Sequence, residues 1–197
     1  LWIASQQGHL EIVKLLIKSG GSVNEDDNTG ITPLWIASQQ GHLAIVKLLI
    51  ESGASVNQAQ NTGATPLYIA SVAGHLEIVK LLIESGGLVN QADKDGFTPL
   101  YVASECGHLE IVKLLIESGG LVNQADSTST TPLYMASQNG HLDVVKLLIE
   151  SGGSVNGADS TSTTPLWMAS GQGHLEIVKL LIESGGSVNG ADSTSTT

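Results

Sequence analysis

The sequence has no arginine, a single cysteine and very few aromatic residues. Aromatic side chains make up 4% of the 197 residues, so a buried core has to be built from small and aliphatic side chains. Cys106 cannot form a disulfide within the chain, and there is no signal-peptide pattern and no Asn-x-Ser/Thr acceptor. Together these absences favour a reducing, intracellular (cytoplasmic) location.

Positive charge is also scarce. The chain has 8 lysines against 19 acidic residues, and its net charge of -11 would repel nucleic-acid phosphates and anionic lipids. No apolar run approaches the roughly 20 residues that a membrane-spanning helix needs. We therefore expect neither a nucleic-acid partner nor membrane insertion.

What the sequence does contain is a strict period of 33 residues, without insertions or deletions. Histidines recur at positions 9, 42, 75, 108, 141 and 174, and prolines at 33, 66, 99, 132 and 165. We predict one array over residues 1–197, divided into a partial first repeat 1–30, repeats 31–63, 64–96, 97–129, 130–162 and 163–195, and the start of another at 196–197. Because the chain opens at Leu1 and ends in a Ser/Thr tract, we expect a slice of a longer array or an engineered segment.

Each repeat is predicted to form two short helices. Thr32 is a favourable N-cap ahead of Pro33, and Gly41 stops the first helix about two turns later. The second helix is expected from Leu43 to Ser52, with Gly53 as a left-handed cap. The connections carry a hairpin-turn signal at Gly30, Gly63 and Gly96. Serines 129, 162 and 195 replace this glycine later in the chain, so we expect those turns to change geometry or to be strained.

The second helices are too apolar to stand alone. From Leu76 onward, apolar residues sweep more than half of the helical wheel, and only Glu77, Lys80 and Glu84 form a narrow polar stripe. One helix pair cannot cover so much apolar surface, but stacked identical pairs can. The pattern therefore predicts an all-α solenoid of stacked helix-turn-helix units with short β-hairpin-like loops.

The repeat resembles the ankyrin repeat, which shares the length of 33 residues and the strings T-P-L-x-x-A, G-H-x-x-[IV]-V-x-x-L-L and V-N. Trp or Tyr stands where that family has His after T-P-L. The resemblance implies a scaffold that binds a protein or peptide partner through the loop tips and the exposed face of the first helices. The alternative is a structural spacer or spring without a specific ligand.

Comparison among the six copies suggests where a partner would bind. The slots that vary most are the two residues before each Gly-His and the loop positions before each Thr-Pro. Our candidate partner-binding residues are Lys94, Asp95, Phe97, Tyr101, Glu105, Cys106, Trp35, Gln39, Tyr68 and Val72. The Trp and Tyr side chains would form a partly exposed row, or alternatively would pack between repeats. Phe97 is the stronger candidate for an exposed contact.

We find no residue pattern that supports catalysis, and we expect no enzyme activity, cofactor or metal. The histidines lie roughly 10 Å apart in a stack, too far to share one ion, and are interpreted as capping the second helices and bridging adjacent loops. Cys106 is interpreted as a neutral thiol. The Ser/Thr loops could accept phosphate, and the Val-Asn asparagines occupy a slot that is hydroxylated in some ankyrin-like proteins.

The two ends of the array carry the same apolar helices as its interior. We expect uncovered surface at Leu10, Val13 and Ile17 at the start, and at Leu180, Leu181 and Ile182 at the end. Because these two surfaces are complementary, we expect head-to-tail self-association.

Overall fold

The computed structural model describes residues 1–189, and its contacts divide the chain into two compact units, Leu1–Lys94 and Asp95–Thr197. The first unit contains α1 (Trp2–Gln6), α2 (Leu10–Lys18), α3 (Pro33–Gln40), α4 (Leu43–Glu51), α5 (Pro66–Ala73) and α6 (Leu76–Glu84). The second contains α7 (Pro99–Glu105), α8 (Leu109–Glu117), α9 (Pro132–Gln138), α10 (Leu142–Glu150), α11 (Pro165–Gln172) and α12 (Leu175–Glu183). Residues 1–189 include no strand, so the all-α prediction is confirmed. The single array and its repeat boundaries stay a prediction. Two expectations lie outside the described residues: the start of a further repeat at 196–197 and the turn at Ser195.

The helix signals act as the sequence predicts. The Thr32 hydroxyl accepts a hydrogen bond from the Trp35 N–H at 3.1 Å, and Pro33 begins α3. Gly41 ends that helix with a left-handed φ of 80°. The second helix, α4, ends at Glu51, one residue before the expected end, and Ser52 is its C-cap. Gly53 follows with a φ of 87°.

Within each unit the helix pairs stack side by side. In the first unit α3 packs against α1 and α5, and α4 packs against α2 and α6. In the second, α9 packs against α7 and α11, and α10 against α8 and α12. The polar stripe of α6 is exposed, whereas Ile78, Val79 and Leu82 are almost fully buried. Stacking within each unit therefore covers the apolar second helices as expected.

The loops are turns fastened by a few backbone hydrogen bonds rather than by paired strands. The Asp27 N–H donates to the Ile31 carbonyl at 3.1 Å, and the Asn61 N–H donates to the Thr29 carbonyl of the preceding loop at 2.9 Å. Ser129 and Ser162 adopt left-handed φ angles of 67° and 68°. The two serine turns therefore do not change geometry. They keep the left-handed conformation of the glycine turns, which is strained for serine.

The uncovered ends differ in detail from the expectation. Val13 and Leu181 are fully buried within their units, so their prediction as exposed residues is wrong. Leu10, Ile17 and Leu180 are half-buried, and Ile182 is exposed. Besides Ile182, the large exposed side chains are Ile3, Ile12 and Leu15 near the start and Trp167, Leu175 and Val188 near the end.

Candidate functional site

The aromatic slot of the first helices is buried at three of its six positions. Trp35 is only 6% exposed, and its indole N–H donates to the Ala64 carbonyl of the following loop at 3.0 Å. Tyr101 and Tyr134 are 3% and 5% exposed. At these positions the ring fastens one repeat to the next loop, which favours the packing alternative over a row of partly exposed rings.

The remaining candidate residues of the first unit keep some accessible surface. Tyr68, Val72 and Gln39 are half-buried, and Lys94 is exposed. The Lys94 N–H donates to the Thr62 carbonyl at 2.9 Å, so the preceding loop fixes the backbone that carries its ammonium group. Polar and apolar side chains are therefore both accessible on this unit.

The most distinctive feature of the second unit is the pair of rings Phe97 and Tyr101. Their centroids lie 4.8 Å apart with an interplanar angle of 30°, and Phe97 keeps part of its surface accessible. The Tyr101 hydroxyl lies 2.8 Å from the Thr130 hydroxyl and 3.4 Å from an Asp126 carboxylate oxygen. Burial, assisted by nearby carboxylates, holds the pKa of Tyr101 well above its usual value. Tyr101 is thus a rigid, neutral support on which Phe97 rests.

An exposed carboxylate and an exposed thiol flank this ring pair in the sequence. Asp95 precedes Phe97 and is exposed, Glu105 is half-buried at the end of α7, and Cys106 is exposed. Burial raises the pKa of Glu105. Burial and then the Glu105 carboxylate raise the pKa of the Cys106 thiol, which keeps the thiol protonated and poorly nucleophilic at neutral pH.

The histidines bridge successive repeats. His42 Nε2 lies 3.0 Å from the Gln6 carbonyl oxygen, and His141 Nε2 lies 2.9 Å from that of Glu105. His75 and His174 make the equivalent contacts to Gln39 and Gln138. Their side chains make no cap hydrogen bond to the second helix, so the bridging interpretation is right and side-chain capping is wrong for these four. Within residues 1–189 no group of three or more His, Cys, Asp or Glu side chains is placed to hold a metal ion.

Sequence reasoning missed the role of the Val-Asn asparagines. The Asn57 amide donates to the Gly86 carbonyl at 3.0 Å and accepts from the Leu88 N–H at 2.9 Å, so it links one repeat to the next. Asn24, Asn123 and Asn156 make the equivalent two hydrogen bonds, each to the repeat that follows its own. Their recurrence in every copy was the available signal.

A second missed group is the aspartate of the loops. Asp27 Oδ1 accepts hydrogen bonds from the Thr29 N–H and hydroxyl and from the Ile31 N–H. Asp126 and Asp159 hold their loops in the same way. Burial works to raise the pKa of Asp126, but hydrogen bonds from Thr130 and Thr128 outweigh it and hold that pKa below its usual value. The repeated Asp-x-Thr spacing was the signal that sequence reasoning could have used.

Comparisons with known proteins agree with the geometry. A family model described as Ankyrin repeats (3 copies) matches residues 1–60, 55–126 and 120–192. The search of curated proteins finds no match to the chain. Among the helices described, none combines the length and apolar character needed to cross a membrane.

Proposed function

Because the chain belongs to the ankyrin repeat family, we propose that it holds a segment of another protein against its loop tips and first helices. Ankyrin repeats are generally protein-interaction modules and are typically non-enzymatic. The observation that carries the proposal for this chain is Phe97, a partly exposed ring supported by a buried tyrosine. Equivalent slots in the other repeats hold the smaller Ile31, Ala64, Thr130 and Thr163.

Phe97 is suited to binding because it is already immobilised. An aromatic side chain has few rotatable bonds, and stacking on Tyr101 restricts them further, so a partner loses little conformational entropy when it packs there. The Tyr101 hydroxyl is fixed in turn by Thr130 and Asp126. We therefore assign direct contact to Phe97 and a supporting role to Tyr101.

The charges favour a partner that carries lysine or arginine. Seven of the 8 lysines lie on the second helices, where acidic residues accompany them. In the second unit, which contains Phe97, the described loops and first helices carry no lysine but hold Asp95, Glu105, Asp126 and Asp159. An apolar side chain on Phe97 with flanking cations on these carboxylates fits both observations.

A selection from a phage-displayed library of random peptides tests this function. We expect the chain to enrich peptides with basic residues around an apolar one, and we expect their affinity to fall as salt is raised. Phe97→Thr introduces the residue found at Thr130 and Thr163 and should weaken binding while leaving the circular dichroism spectrum unchanged.

The matched control is Leu121→Ser. Leu121 is 56% exposed in the same unit, and the equivalent residues Ser154 and Ser187 show that serine fits the slot. Equal binding by the Phe97→Thr and Leu121→Ser variants would refute the Phe97 contact. Enrichment of acidic peptides would refute the charge argument, and the absence of any enriched peptide would support the spacer alternative.

A further inference from the structure

Two Asn-Gly sequences of the second unit lie in different surroundings. One is Asn139 with Gly140, at the end of α9, and the other is Asn156 with Gly157, in a loop. Asparagine before glycine is prone to deamidation, because glycine has no Cβ to obstruct the attack of its backbone nitrogen on the asparagine side chain. Both asparagines are exposed, so their hydrogen bonds decide which of them can react.

Three hydrogen bonds hold Asn156 and Gly157 in place. The Asn156 amide donates to the Gly185 carbonyl at 3.0 Å and accepts from the Ser187 N–H at 2.8 Å. The Gly157 N–H donates to the Ser154 carbonyl at 3.1 Å. The side-chain carbon and the nitrogen that would attack it are therefore fixed by separate partners, and these bonds must break before the two atoms can meet.

Asn139 is less restrained. Its amide donates one hydrogen bond, to the Glu105 carbonyl oxygen at 2.9 Å. Within residues 1–189, neither end of the peptide that joins Asn139 to Gly140, the Asn139 carbonyl or the Gly140 N–H, has a hydrogen-bond partner in the protein. Rotation of this peptide changes the ψ of Asn139 and the φ of Gly140 in opposite senses and leaves the flanking residues in place. Gly140, now at a φ of 82°, tolerates the change because glycine accepts φ of either sign.

We propose that Asn139 is a site of spontaneous deamidation. The Gly140 nitrogen attacks Asn139 Cγ and forms a bond to it, while the bond from Cγ to Nδ2 breaks. Nδ2 leaves as ammonia with the proton of the Gly140 N–H, and a succinimide ring remains. Water then adds to one of the two ring carbonyl carbons and breaks its bond to the nitrogen, which regains a proton. Opening at Cγ gives aspartate, and opening at the backbone carbonyl gives isoaspartate.

The product alters a contact between repeats. A carboxylate has no N–H, so the hydrogen bond from residue 139 to the Glu105 carbonyl is lost. His141 Nε2, 2.9 Å from the same carbonyl oxygen, remains in place. Deamidation therefore weakens the link between α9 and the end of α7, and it adds one negative charge there.

Mass spectrometry of the folded chain tests the proposal. After incubation at mildly alkaline pH, trypsin cuts after lysine and releases peptides 114–146 and 147–179, each one repeat long and with one Asn-Gly sequence. We expect Asn139 to gain the mass shift of deamidation at least about tenfold faster than Asn156, because two further hydrogen bonds must break at Asn156. Equal rates in the folded chain, or a faster reaction at Asn156, would overturn the proposal.

Unfolding the chain separates the effect of the fold from that of the local sequence. In concentrated urea these hydrogen bonds are absent, so the two asparagines should react at similar rates. A difference that persists unchanged in urea would attribute the selectivity to the neighbouring residues and would also overturn the proposal.

A pair of variants tests the consequence for the repeat contact. Asn139→Asp reproduces one product, whereas Asn139→Gln keeps an amide that Gln40 and Gln172 show to fit this slot. Gly140 stays unchanged, because a Cβ there would meet His174 Cε1 at 2.7 Å. Asn139→Asp should unfold at a lower urea concentration than Asn139→Gln, and equal midpoints would refute the weakened link.

Discussion

The contact between the glycine and the histidine of successive repeats leads to a sharp prediction for the pair Gly41→Ala and Gly53→Ala. Both glycines have a left-handed φ, 80° and 87°, so both variants incur the same backbone penalty. That penalty is about 1–2 kcal/mol for a residue with a Cβ. Around Gly53 an added Cβ meets nothing within 4 Å, whereas at Gly41 it would lie 2.6 Å from His75 Cε1.

The extra cost at Gly41 comes from displacing the imidazole. A carbon–carbon contact needs about 3.5 Å, so the His75 ring must shift by nearly 1 Å and its Nε2 leaves the Gln39 carbonyl oxygen, now 3.0 Å away. Losing one such part-buried hydrogen bond costs about 1–3 kcal/mol. We therefore expect Gly41→Ala to be more destabilising than Gly53→Ala by about 1–3 kcal/mol.

Urea unfolding followed by circular dichroism measures the difference. Repeating both glycine variants in a His75→Ala background removes the ring that clashes, so the two variants should then cost the same. Equal destabilisation in the parent background, or a Gly41→Ala excess that survives in the His75→Ala background, would refute the reasoning.

Three further predictions concern single side chains of the second unit. Ser129→Gly should raise the free energy of unfolding by up to about 1 kcal/mol, because it relieves a left-handed serine; an unchanged urea midpoint would argue against strain there. The folded pKa of Asp126 lies below its ordinary 3.8, so its stabilisation is present above that pH and is lost as the pH falls through the folded pKa. Asp126→Asn should therefore lower stability at neutral pH and flatten the acid side of the stability profile, and a profile parallel to that of the parent chain would contradict this. Glu105→Gln should modestly speed the reaction of Cys106 with a thiol reagent at neutral pH, because it removes the smaller of two causes of the raised thiol pKa; a slower reaction would contradict this.

The repeat itself was readable from the sequence because its signals are local. Thr32, Pro33 and Gly41 each act within one turn of their own helix. The apolar residues after Leu76 indicate that the second helix must be buried by neighbouring helices. Such signals depend only on neighbours along the chain, and each of them recurs at the 33-residue period.

The candidate site was less predictable because burial is decided by the next repeat. Trp35 loses its exposure to the loop around Ala64, 29 residues later, and no pattern within its own helix reports this. Phe97 was singled out by its unusual slot, but its stacking on Tyr101 depends on the path of the loop into α7. The links made by the Val-Asn asparagines, such as Asn57, were overlooked because their bonding partners lie about 30 residues later in the chain, although the recurrence of the asparagine was visible.

Each helix pair is stabilised by its neighbours rather than by itself. Leu34, Ile45 and Leu49 are at most 1% exposed in the chain, and α1, α2, α5 and α6 supply part of that cover. The most direct test is the circular dichroism of a synthetic peptide comprising residues 31–63. We predict a peptide that is largely unfolded in water, because a lone helix pair leaves this surface exposed. A peptide that is helical and melts cooperatively would contradict the account.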